Sequence, residues 1–146
     1  MNNVEINGGT AKQRKYVESM VQYCIHKMMP RMSTLEITVN LCTPRGAMGY
    51  CLETDNNRTF EIEVNSKLPL RKLLETVAHE MVHVKQYARR ELHPMHSTWC
   101  GKTYNPNKVS YWDLPWEIEA HGREVGLFVR WAEKERLASK KWTQTG

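Results

Sequence analysis

Two histidines four residues apart, His79 and His83, bracket Glu80 in the segment His79-Glu80-Met81-Val82-His83. On a helix, residues at that spacing stack one above the other, so both imidazoles can aim a nitrogen at a single ion. Glu80 then lies on a neighbouring face, about 100° round the helix axis. From there it reaches a water activated by the ion and takes its proton without itself being a ligand. A hydrolytic zinc takes three protein ligands and leaves one position open. The expected cofactor is therefore Zn²⁺, with His79 and His83 as ligands and Glu80 as the general base.

The third ligand has to come from downstream. His93 and His96 follow closely, and Glu117, Glu119 and His121 stand together in Pro115-Trp116-Glu117-Ile118-Glu119-Ala120-His121. A third histidine six residues after the second, with a glycine between, is excluded because Gln86 and Arg89 occupy those positions. On a helix Glu117 and Glu119 are about 200° apart, so only one of them can face an ion. Glu117 stacks with His121 and Glu124, whereas Glu119 shares no face with His121. That alignment favours Glu117 as the third ligand, with Glu119, His93, His96 and His121 as alternatives. Tyr104, Tyr111, His96 and Arg123 are the donors available to stabilise an oxyanion.

These residues need elements to position them. From Thr10 the apolar spacing is helical, through Val17, Met20, Val21, Cys24, Ile25 and Met28, until Pro30 stops it. Strand-like stretches follow at 35–41, 48–52 and 59–64, separated by turn residues at 43–46 and 55–57. In the last, Phe60, Ile62 and Val64 alternate with Glu61 and Glu63, which predicts a small, mainly antiparallel sheet with one wet side. Residues 59–64 are expected as an edge able to take an extended peptide by strand addition.

Asn65-Ser66 and Pro69 open a long helix to about Glu91, with Leu70, Leu74, Val77, Met81, Val84 and Ala88 as its packing stripe. The two motif histidines fall about 160–240° away from that stripe, off the face that packs on the sheet. Segment 92–114 carries a short extended piece near 97–104, with Trp99, Trp112 and Trp116 around it. Asp113 and Pro115 announce a final helix, expected to bury Ile118, Val125, Val129 and Ala132. Helix, sheet, helix, helix is an α+β layout in a single domain over residues 1–146. Residues 1–9, ending in Gly8-Gly9, are expected to be a flexible leader, and 139–146 a flexible tail.

The chain has 146 residues, a length suited to one domain. At 40% apolar and 25% charged it is not a disordered or low-complexity chain. No apolar run approaches the ~18 residues of a membrane span. The start has no charged segment followed by an apolar stretch, so a cytoplasmic location is expected. Cys24, Cys42, Cys51 and Cys100 form no CxxC pair and are expected as reduced thiols. The net charge of +5 comes from scattered bases, densest at Lys12-Gln13-Arg14-Lys15 and Lys140-Lys141. Such scatter predicts at most weak nucleic-acid contact through a basic surface. The expected partner is a protein or peptide substrate, and nothing in the sequence fixes an oligomeric state.

His79-Glu80-Met81-Val82-His83 followed by Glu117-Ile118-Glu119-Ala120 resembles the gluzincins, metallopeptidases with two His ligands and a Glu from a second helix. The element order over roughly residues 10–135 is similar to the minimal members of that class. The resemblance implies a minimal zincin-like domain that hydrolyses peptide bonds. It makes His79, His83 and Glu117 the zinc ligands and Glu80 the general base. His121 stands where such enzymes often carry an acid or amide that orients a ligand His, which leaves it as an orienting acceptor or a rival ligand. The chain also resembles the SprT-like proteases, which act on DNA-bound proteins and use a third His. Glu91-Leu92-His93-Pro94-Met95-His96 offers histidines, without that family's His-Gly environment or its appended zinc ribbon. His79–Gln86 with Pro115–Ala120 is similar to small metallopeptidases of tailed phages, which implies the host cytoplasm. A non-catalytic nucleic-acid- or protein-binding module on the same fold is the remaining alternative.

Overall fold

A computed structural model describes residues 1–43, 48–53, 56–93 and 97–144. The main sheet consists of β1 (Asn3–Gly8), β2 (Glu36–Cys42), β3 (Gly49–Glu53) and β4 (Thr59–Asn65). Helix α1 (Ala11–Met28) separates β1 from β2, and α2 (Leu70–Ala88) follows β4. Three two-residue strands, β5 (Leu92–His93), β6 (Thr98–Trp99) and β7 (Lys102–Thr103), pair as a second small sheet. A 3₁₀ turn at Tyr111–Asp113, then α3 (Pro115–Lys134) and α4 (Lys141–Gln144), complete a mixed α+β architecture.

The main sheet runs β1-β2-β4-β3, parallel across β1, β2 and β4 and antiparallel only between β4 and β3. It is therefore mainly parallel, not mainly antiparallel. The extra parallel pairing comes from residues 3–8, expected as a leader but held against β2 in the register Val4↔Ile37 and Ile6↔Val39. Val4 and Ile6 alternate with Glu5 and Asn7, which is strand patterning in its own right. Residues 59–64 are not an edge either, because β4 lies between β2 and β3. Phe60, Ile62 and Val64 are fully buried under the helices. On the other face Asn40 Nδ2 donates to Glu61 Oε1 at 2.8 Å, so that side stays polar.

Helix α1 begins in a capping box. Thr10 Oγ1 accepts from the Gln13 backbone at 3.1 Å, and Gln13 Oε1 accepts from the Thr10 backbone at 2.9 Å. Helix α2 is the central element, packed on α1, β3 and β4 on one side and on α3 on the other. Leu74, Val77, Met81, Val84 and Ala88 are buried as the stripe requires, but His79, Glu80, His83, Lys85 and Gln86 are buried too. The helix stops at Ala88, before Arg90 takes a positive φ of 59°.

Helix α3 packs a different face from the one expected. Trp116, Ala120, Leu127, Phe128, Trp131 and Ala132 go inward, while Ile118, Val125 and Val129 are 56%, 48% and 40% exposed. Both faces carry apolar residues, and the aromatic face offers the larger area to bury. The described residues of the expected tail, to 144, are also held in place. Trp142 packs near Tyr16 and Trp131, and the Thr143 carbonyl accepts from Arg71 Nη1 at 2.7 Å. Cys24, Cys42, Cys51 and Cys100 form no disulfide among the described residues, and no described helix is long and apolar enough to cross a membrane.

Candidate metal centre

Pro115 starts α3 at its first turn and puts Glu117 there, beside the middle of α2. One carboxylate oxygen, Glu117 Oε1, lies 3.3 Å from Nε2 of His79 and 3.3 Å from Nε2 of His83. A tetrahedral ion with ~2.0–2.1 Å bonds has donor–donor edges of about 3.3–3.4 Å. The two distances from Glu117 match two edges of such a site, and the three donors all lie within 4.8 Å of one another. Among the described residues, two sets have the geometry to hold an ion: His79, His83 and Glu117, and His79, His121 and Glu124.

The rings are oriented from behind. Gln86 is fully buried, and its Nε2 donates to the Trp116 carbonyl at 2.9 Å and to Glu119 Oε1 at 3.0 Å. Both are pure acceptors, so the amide NH₂ must point at them and Oε1 must point the other way. That oxygen sits 2.8 Å from His83 Nδ1, which therefore carries the proton and leaves the Nε2 lone pair facing Glu117. On the other ring, Glu124 Oε1 lies 3.5 Å from His79 Nδ1 and plays the corresponding part. Glu124 also meets His121 Nδ1 at 2.7 Å. The Tyr111 hydroxyl closes the circuit, donating to Glu117 Oε1 at 3.0 Å and lying 2.9 Å from His121 Nε2.

The charges follow from this packing. Burial pushes the His79 imidazole down, but Glu117 and Glu124 outweigh it and hold its pKa up at about 9. His83 is raised in the same way, chiefly by Glu117 against burial. Burial works to raise Glu117, but the two imidazoles and the Tyr111 hydroxyl keep it far below the usual carboxylate range. Glu124 is lowered by His79 and His121 against burial. Glu80 goes the other way: burial raises its pKa, with Glu117 and Glu124 adding to the shift and the two histidines opposing it. Burial and the nearby Glu117 also raise Tyr111, so its hydroxyl keeps its proton.

Glu80 points toward the sheet. A Cβ on Gly49 would sit 2.9 Å from Thr76 Cγ2 and 3.0 Å from the Glu63 carbonyl oxygen, with Glu80 Oε2 at 3.5 Å. Glycine there lets β3 lie directly against α2 beside the carboxylate. Strand β3 ends the sheet, and the Asn65 amide donates to the Met48 carbonyl at 2.8 Å. The alternation of an antiparallel ladder then turns the backbone groups of Gly49 toward the open edge.

No protein-family model, curated protein or solved structure matches this chain. Its chemistry is therefore read from its own side chains.

The remaining candidates separate by position. Glu119 is held away from the cluster by Lys85 Nζ at 2.6 Å, Arg123 Nε at 3.0 Å and Gln86. Those bonds also commit Arg123 elsewhere. His93 belongs to neither ligand set, and His96 lies outside the described residues. His121 stands at the cluster, its ring 4.4 Å from that of His79. Tyr104 packs instead on Trp116, with Lys102 over its face, in the satellite cluster around Leu92 and Leu114. Trp112, 67% exposed, lies 4.9 Å from the His121 ring. The orienting roles of Gln86 and Glu124 were not read from the sequence. Their signals were there: Gln86 follows His83 by three residues, and Glu124 stacks with Glu117 and His121.

Proposed function

We propose that the chain is a zinc-dependent peptidase on a minimal zincin-like domain of gluzincin type. His79, His83 and Glu117 would hold the zinc, and Glu80 is the general base. The observation that carries this reading is the single Glu117 oxygen equidistant, at 3.3 Å, from both Nε2 atoms. It favours a carboxylate over a third histidine, and so the gluzincin type over the SprT-like one. A bound zinc supplies Lewis acidity and brings the pKa of water toward neutrality. The chain does the rest. Glu80, with its pKa raised by burial, takes the proton of the attacking water and delivers it to the leaving amine. Tyr111 keeps its proton, which it donates to Glu117 here and would turn to the developing oxyanion in the reaction. The outward backbone of Gly49, next to Glu80, gives an extended peptide an edge to align on.

The test is Glu80→Gln, with zinc content and cleavage of an unbiased peptide library measured on both proteins. Zinc should be retained and cleavage should fall by about 10²–10⁴-fold. Undiminished cleavage in the variant would remove Glu80 from the reaction, and no zinc in the wild type would remove the reading.

A further inference from the structure

We propose a second seat for a divalent metal ion, formed by His79 Nδ1, His121 Nδ1 and Glu124, which competes with the first seat for one ion. Tyr111 links the two seats. Its hydroxyl has one proton, and Glu117 Oε1, 3.0 Å away, can only accept. With the proton given to Glu117, the phenol oxygen must accept from His121 Nε2, 2.9 Å away, so that nitrogen carries a hydrogen. His121 Nδ1 faces Glu124 Oε1 across 2.7 Å.

The same carboxylate oxygen faces His79 Nδ1 at 3.5 Å, which brings a second imidazole to the place. Two histidines and one glutamate match the donor set of the first seat, and all three donors lie within 4.8 Å of one another. His79 and Glu124 are buried, while the His121 side chain is about a third exposed, which opens the seat to solvent. A neutral imidazole has one lone pair, so His79 serves either the Glu117 side through Nε2 or the Glu124 side through Nδ1. The Gln86 amide that sets His83 toward the first seat is fully buried, whereas Tyr111, which sets His121, is 46% exposed. The first seat is accordingly the tighter. The second takes the ion when Glu117 is removed.

The experiment uses metal-free full-length chain and cobalt(II) alone as the probe. Metal per chain after gel filtration and the visible absorption of bound cobalt are read on wild type, Glu117→Ala, and Glu117→Ala combined with His121→Phe. Circular dichroism establishes that each variant is folded. About one cobalt is expected in wild type and about one in Glu117→Ala, with a changed spectrum, as three remaining ligands allow. The double variant should hold none. Folded Glu117→Ala without cobalt would overturn the second seat and leave the peptidase reading intact. An equal cobalt content in the double variant would overturn it as well, and would show that a proton alone bridges His121 and Glu124. No cobalt in wild type would overturn both.

Discussion

The side-chain amide oxygen of Gln86 faces Nδ1 of His83 at 2.8 Å, and the amide cannot turn over. The Trp116 carbonyl and Glu119 hold its NH₂ group, and Glu119 is itself held by Lys85 and Arg123. A line of hydrogen bonds thus runs from buried Lys85 on α2 and exposed Arg123 on α3, through a fully buried amide, to one ring of the candidate metal centre. The helix pair α2 and α3 sets the geometry of the centre, and this line fixes a tautomer inside it.

Replacing Gln86 with Leu is expected to keep the volume but leave the His83 tautomer unset. It also leaves Glu119 Oε1 without its buried partner, while the Trp116 carbonyl keeps its place in the α3 ladder. Zinc affinity should fall by about 10–100-fold, as for other residues that orient a metal-bound His. Stability should fall by about 1–3 kcal/mol from the unpaired acceptor. Competition against a chromophoric chelator and urea denaturation measure the two losses. Unchanged zinc affinity would show that Gln86 only packs.

How much of this was legible in the sequence depends on the kind of information each feature needs. Helices α1, α2 and α3, the three strands after α1 and the motif on α2 are local patterns, and they stand where spacing and turn residues put them. Strand order is not local. Phe60, Ile62 and Val64 look the same in an edge strand and in β4, which has neighbours on both sides. Val4 and Ile6 become strand residues only because β2 offers them a partner. On α3 two apolar faces competed, and the choice between them depended on Trp131 and Phe128 finding α1 and α4. At the site, Glu117 could be picked out because it stacks with His121 and Glu124, whereas the part played by Tyr111 depends on a turn whose placement no spacing rule specifies.

Tyr111→Phe removes the hydroxyl that contacts Glu117 and His121 while keeping the ring. If that hydroxyl serves the oxyanion, peptide hydrolysis should lose about 10²–10³-fold in kcat, with KM and zinc content little changed. Steady-state kinetics on a cleaved library peptide separate the two constants. A loss confined to KM would make Tyr111 a binding residue instead.

Gly49→Val tests the contact between β3 and α2. The added Cβ would stand 3.0 Å from the Glu63 carbonyl oxygen, a backbone atom that cannot move out of the way alone. The strand must shift from α2, at a cost of about 1–3 kcal/mol. Activity should drop while zinc stays bound, because the ligands lie on α2 and α3 and Glu80 alone borders the glycine. Thermal melts, zinc analysis and peptide cleavage on the same preparation check this. Loss of zinc in a folded variant would contradict it.

The pH dependence of the metal-free chain follows from His79. Its folded pKa, held at about 9 by Glu117 and Glu124 against burial, exceeds the ordinary value of about 6.5. The stabilisation from this raised pKa is therefore complete below about pH 6.5 and is lost as the pH climbs through about 9. Glu117, shifted the opposite way, stays ionised throughout that window. Chelator-treated protein should lose about 2–3 kcal/mol of stability between pH 6.5 and pH 9.5. Zinc-loaded protein should not follow it, because the metal replaces the proton on His79. For the same reason, adding zinc at pH 7 should release protons, and its affinity should rise with pH until His79 is neutral. Urea denaturation across the pH series and calorimetry in buffers of different ionisation enthalpy read the two effects. A flat stability profile in the metal-free chain, with a heat of zinc binding independent of buffer, would mean that His79 is already neutral at pH 7.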